Sequence, residues 1–200
     1  PAIDHGNQLL SDKTVLSELK MPEPHSGKRM LDRIKAAELF KKEAGGQFYI
    51  EGWVEGPCAE GADLRGVSTL MIDFYEDPSF VRDLFDFTLE LGKKFAKSQI
   101  EAGADIIGVG DAVCSLIGPQ LYDEFVWDYE KKLVDSIQEM GGAVRLHICG
   151  NITGILESIG KLGCEMVDID YMVPVVQARE KMPEQVIAGN INPVELQDNS

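Results

Sequence analysis

The chain has 200 residues, 44% of them hydrophobic, and a formal net charge of −15. That length and apolar share suit one sizeable core, while the acidic balance argues against a nucleic-acid partner, because such binding draws on clustered Lys and Arg. No apolar run approaches the roughly 20 residues of a membrane span, and the opening Pro1-Ala2-Ile3-Asp4-His5 lacks the pattern of a signal peptide.

The first 45 residues hold polar, Pro-containing stretches such as Met21-Pro22-Glu23-Pro24, then a helical stretch over 30–43 that stops at Gly45-Gly46. From Gln47 onward short β-rich runs alternate with long amphipathic helices, the pattern of parallel α/β folds. Five strands are predicted, over 48–54, 105–109, 144–149, 166–169 and 186–188. A helix opens at Asp77-Pro78, an N-cap followed by Pro at the first helical position, and runs to Gly103. Its Phe80, Phe85, Phe87 and Phe95 read as packing residues. The next helix opens at Gly118-Pro119, repeats Leu121, Phe125, Tyr129, Leu133, Ile137 and Met140 at helical spacing, and stops at Gly141-Gly142. Another is predicted over 152–162.

Each strand ends in a short polar or Gly-rich segment: Glu55-Gly56-Pro57, Gly110-Asp111-Ala112, Gly150-Asn151, Asp170-Tyr171 and Gly189-Asn190-Ile191-Asn192-Pro193. In parallel α/β proteins active sites gather at these carboxyl ends. Asp111, Asp170 and Asn190 are therefore candidate substrate contacts, with Glu55 a weaker one; Asp111 could also supply an oxygen ligand to a metal. Each has a structural alternative: a cap or turn for Asp111, solvation for Glu55, and an Asn-assisted turn into Pro193 for Asn190 and Asn192. Asp168 shares the parity of Asp170 and lies deeper along its strand.

The four cysteines, Cys58, Cys114, Cys149 and Cys164, lack the spacing of a disulfide framework and read as reduced thiols, with the cytoplasm as the expected location. Cys58 and Cys114 follow strand ends with nothing basic nearby and read as ordinary thiols; His5 and His25 read as surface residues. His147 and Cys149 are different. They lie two apart on a predicted strand, so both side chains share one face while Leu146 and Ile148 share the other. Imidazole and thiolate are good zinc ligands, and catalytic zinc generally takes three protein ligands, so at least one more is required.

Leu146-His147-Ile148-Cys149-Gly150-Asn151 resembles the zinc motif of the corrinoid-dependent methyltransferases within the uroporphyrinogen decarboxylase superfamily. Val54-Glu55-Gly56-Pro57, Val167-Asp168-Ile169-Asp170 and Gly189-Asn190-Ile191-Asn192-Pro193 are similar to segments of the wider superfamily, in the same order and from about residue 28 onward. The resemblance implies an incomplete (β/α)₈ TIM barrel, an α/β fold whose five strands resemble barrel strands three to seven, since a full barrel takes about 250 residues. Residues 1–46 then form a polar leading segment and helix, and 47–200 the barrel portion with its strand-end site.

The resemblance further implies zinc held by His147 and Cys149, with a third ligand, a cysteine, beyond Ser200 rather than at Cys164. It implies a corrinoid (cobalamin) methyl carrier delivered by a separate carrier protein, and a small-molecule thiol or methyl substrate. Zinc in that setting keeps a thiol deprotonated for attack on the methyl group of methylcob(III)alamin. Two other functions share the fold: uroporphyrinogen decarboxylation in porphyrin biosynthesis, and noncatalytic binding of a tetrapyrrole or corrinoid. An open five-strand piece also leaves unpaired edges, for which a homo-oligomer or further strands are the expected remedy.

Overall fold

In the computed structural model, which describes residues 8–198, five short strands form one all-parallel sheet. They are β1 (Glu51–Glu55), β2 (Ile106–Gly110), β3 (Ala143–His147), β4 (Met166–Asp168) and β5 (Val186–Ala188), lying side by side in chain order. Parallel neighbours cannot be joined by a hairpin, so each step needs a crossover. Helix α1 (Lys28–Ala44) precedes the sheet; α2 (Pro57–Arg65), α3 (Val67–Glu76) and α4 (Pro78–Glu101) connect β1 to β2. Helices α5 (Cys114–Leu121) and α6 (Trp127–Glu139) connect β2 to β3, α7 (Leu156–Gly160) lies before β4, α8 (Val175–Lys181) before β5, and α9 (Pro193–Asp198) follows.

One face of the sheet is apolar and covered. Val54, Ile107, Val109, Val144, Leu146, Ile148 and Val167 are all buried there in a core shared with Leu84, Phe85, Leu133 and Ile137 of α4 and α6. Each such side chain contributes roughly 1.5–3 kcal/mol by leaving water. Phe80, Phe85 and Phe95 of α4 pack as expected, and Phe85 meets Phe74 and Tyr129 edge-on at centroid distances of 6.1 and 5.6 Å. The start of α4 also follows its sequence signal, with Asp77 accepting from the Phe80 amide at 3.2 Å and Pro78 in the first turn.

Four elements differ from expectation. The first strand begins at Glu51, leaving Phe48 and Tyr49 exposed, because the Asp105 carboxylate accepts from the Ile50 amide at 2.9 Å and is itself held by Lys41 at 2.6 Å. β3 ends at His147 rather than Cys149; just beyond, Gly150 takes φ +90° and turns the chain. The long helix predicted after β2 does open at Gly118-Pro119, where Gly118 takes φ +75°, but it passes through a π-helical turn over Tyr122–Val126 before α6 begins. The helix predicted over 152–162 is reduced to a 3₁₀ turn (Thr153–Ile155) and α7. His5 and Ser200 lie outside the described residues. Among the described residues no helix is long and apolar enough to cross a membrane.

Candidate functional site

Register turns the uncovered face of the sheet into rows. The last row runs Glu55, Gly110, His147, Asp168, Ala188, and the row behind it runs Trp53, Gly108, Arg145, Met166, Val186. Because the side-chain period is two, both rows project to the same side, opposite the apolar core. The glycines make room for the tryptophan: a Cβ on Gly108 would stand 2.2 Å from Trp53 Cε3, and one on Gly110 would stand 2.7 Å from its Cζ2. The indole therefore lies flat across β2, with its ring 6.3 Å from that of His147 and its Nε1 donating to Glu55 at 3.2 Å.

Arg145 ties the rows together. Its guanidinium reaches Asp168 Oδ2 at 2.6 Å and Glu51 Oε2 at 3.0 Å. Asp168 Oδ2 also lies 3.6 Å from His147 Nδ1, too long for a hydrogen bond. His147 Nδ1 and Asp168 Oδ1 are buried atoms with no hydrogen-bond partner. Cys149, by contrast, is exposed two residues past His147. An imidazole and an accessible thiol at one strand end fit the donor chemistry of zinc. Among the described residues no further acid, His or Cys joins these two in a group with ligating geometry.

Glu55 lies beside Trp53 at the open edge of the sheet. Burial pushes its carboxyl up, and the nearby Asp63 adds to this, while the Trp53 hydrogen bond opposes it. Glu60, one turn into α2, is pushed up to about 7 by burial and by Asp63 and Glu55. These acids line a groove of about 1060 Å³ between β1, α1 and α4, which also takes in Trp53, Arg29 and Arg33.

The other sequence candidates are committed elsewhere. Asp170 accepts from the Gly150 amide at 2.9 Å and the Met172 amide at 3.1 Å, so its carboxylate links the loops after β3 and β4. Asn190 donates to the Val173 carbonyl at 2.7 Å, again a loop-to-loop tie. Asn192 accepts from the Val194 amide at 3.0 Å, the turn into Pro193 that the sequence offered as an alternative. Asp111 departs from the expected rim position. It shares the parity of Ile107 and Val109, which sends it to the helix side of the sheet, fully buried, where it accepts from the Ala59 amide at 2.6 Å and the Cys58 amide at 3.3 Å. It caps α2 instead of facing the open side.

Around Asp111 stands a group that the sequence reading did not single out. Cys58, Cys114 and Asp111 bring their ligand atoms within 4.8 Å of one another, all buried. Glu130 of α6, also buried, accepts from Tyr122 Oη and lies 3.8 Å from Cys114 Sγ. Burial pushes the Cys114 thiol and the Glu130 carboxyl well up. Cys164 is buried at the start of β4, the opposite end from His147, as expected.

An all-parallel β/α sheet in chain order, with one face covered by helices and a polar row at its strand ends, is the arc of a TIM-type barrel carrying a strand-end site. The uroporphyrinogen decarboxylase (URO-D) family profile matches residues 5–200, and the chain belongs to that family. Methylcobamide:CoM methyltransferase of Methanosarcina mazei is 29% identical over 163 residues, which cover 80% of this chain and 48% of that protein. The uroporphyrinogen decarboxylase of Prochlorococcus marinus (strain MIT 9312) is 26% identical over 202 residues, covering 96% of this chain and 57% of the relative. In structure, the chain is similar to a methyltransferase from Methanosarcina mazei, with a TM-score of 0.81 at 24% identity over 88% of this chain and 53% of the other. The chain spans about half the length of the relatives it matches, in keeping with the incomplete barrel expected from sequence.

Proposed function

We propose that this chain carries the strand-end half of a zinc-dependent methyltransferase that moves a methyl group between a corrinoid and a thiol-type acceptor. The observation that carries the reading is the placement of His147 and Cys149 together at the carboxyl end of β3, with Cys149 accessible and the imidazole backed by Asp168. His147 and Cys149 would hold the metal, and a third ligand is expected from sequence beyond Ser200. Bound zinc supplies the charge that keeps a substrate thiol deprotonated at neutral pH.

The rest of the work falls to the chain's own side chains. Asp168, fixed by Arg145, stands on the Nδ1 side of His147 and leaves the other ring nitrogen for a ligand. The Trp53 ring, laid across Gly108 and Gly110, forms a flat apolar wall beside the imidazole that displaces water from one flank of the site. Two of the curated relatives are methylcobamide:CoM methyltransferases, which supports the transfer chemistry and the corrinoid; a corrinoid carrier protein as partner follows only from the sequence resemblance.

A second reading, decarboxylation of a porphyrinogen, is favoured by the Prochlorococcus relative, which aligns with more of this chain than the methyltransferases do. The two separate in one assay on the protein carried past Ser200. Thiol-dependent demethylation of methylcobalamin, lost in Cys149→Ala, is expected. Loss of carboxyl groups from uroporphyrinogen, undiminished in Cys149→Ala, would overturn the methyltransferase reading in favour of the decarboxylase.

A further inference from the structure

We infer that Cys58, Asp111, Cys114 and Glu130 form a second, closed metal site, structural rather than catalytic, for a thiophilic divalent cation such as Zn²⁺. It stands on the helix side of the sheet, opposite the row that carries His147, and does not depend on the methyltransferase reading.

The geometry comes first. Cys58 sits in the first turn of α2, Asp111 directly follows β2, Cys114 opens α5, and Glu130 lies in the first turn of α6. Three of these segments bring the ligand atoms of Cys58, Asp111 and Cys114 to one point, and the fourth sets Glu130 beside Cys114. Tetrahedral zinc with bonds of about 2.0–2.3 Å sets its ligand atoms roughly 3.3–3.8 Å apart. The 3.8 Å between Cys114 Sγ and Glu130 Oε1 matches that spacing, and Cys58, Asp111 and Cys114 meet within 4.8 Å. Gly56 keeps the approach clear, since a Cβ there would stand 2.2 Å from Asp111 Oδ2.

Charge supplies the second argument. Asp111 and Glu130 are both buried, and among the described residues no Lys, Arg or His forms an ion pair with either. Without a cation such a site stays neutral only by holding its protons, and burial accordingly pushes both carboxyls up. A divalent ion would take the place of those protons: as sulfur–metal and oxygen–metal bonds form, each ligating thiol and each ligating carboxyl releases its proton to solvent, and the ion offsets two of the negative charges left behind. The α2 amides that Asp111 accepts from occupy only part of its acceptor capacity. Full burial closes the site to solvent, as is usual for a structural zinc. The ion would bind β2, α2, α5 and α6 into one unit.

The test uses the His147→Ala, Cys149→Ala variant, which lacks the proposed outer ligands. Elemental analysis of this variant as isolated is expected to find about one zinc per chain. Refolding it with Co²⁺ is expected to give a sulfur-to-cobalt charge-transfer band in the near ultraviolet, lost when Cys114→Ser is added. A folded variant, verified by circular dichroism, that holds no zinc as isolated and no Co²⁺ after refolding would overturn the inference, as would bound Co²⁺ without the thiolate band. Because His147 and Cys149 are already absent, neither result depends on the strand-end site.

Discussion

His147 Nδ1 stands 3.6 Å from Asp168 Oδ2, an oxygen that Arg145 already holds at 2.6 Å. The two atoms are close enough for a small ring movement to join them, and a metal on the other ring nitrogen favours a carboxylate at Nδ1 because it fixes the tautomer and raises ligand basicity. Asp168→Asn is therefore expected to weaken metal binding at His147 and Cys149 by about 10–100-fold, read by competition with a chromophoric chelator. An unchanged affinity would show that Asp168 serves only Arg145.

Trp53 and Gly108 form a matched pair. Gly108→Ala places a Cβ against the indole, where the built position lies 2.2 Å from Cε3. The substitution is expected to cost about 1–3 kcal/mol in urea unfolding, the range for overpacking. In a Trp53→Ala background most of that cost should vanish, giving a coupling energy of similar size. Equal costs in both backgrounds would place the strain in the β2 backbone rather than under the ring.

Glu60 gives a pH signature. Its folded-state value, pushed up to about 7, lies above that of an unfolded glutamate, so the folded chain binds the extra proton more tightly. The sign follows: this residue's contribution is most favourable at acid pH and declines as pH rises from about 4.5 through 7. Glu60→Gln should leave stability near pH 4.5 almost unchanged and raise it at pH 8 by on the order of 1–3 kcal/mol. Denaturant melts at the two pH values check this; an equal effect at both would contradict a titrating role.

Much of this layout was legible in the sequence. Strands β2, β4 and β5 fall within a residue or so of expectation, and the parity of His147 and Cys149 against Leu146 and Ile148 placed the donor pair opposite the core. The start of β1 was hidden because Asp105, 55 residues away, takes the Ile50 amide. Asp111 was misplaced at the rim although its parity with Ile107 and Val109 already marked it for the covered face. Glu130 could have been found too: it stands at helical spacing with Leu133, Val134 and Ile137, a charged residue on a buried stripe. The π-helical turn carried no periodic signal, because the apolar spacing from Leu121 to Phe125 and Tyr129 runs on through it.

The strand-end metal site is tested most directly by zinc content in protein carried past Ser200, measured in a Cys58→Ser, Cys114→Ser background so that only the outer site counts. With His147 and Cys149 intact, about one zinc per chain is expected, with X-ray absorption showing mixed nitrogen and sulfur ligands, and His147→Ala, Cys149→Ala should abolish it. A folded protein that holds no zinc with both residues in place, or the same zinc without them, would contradict the methyltransferase reading.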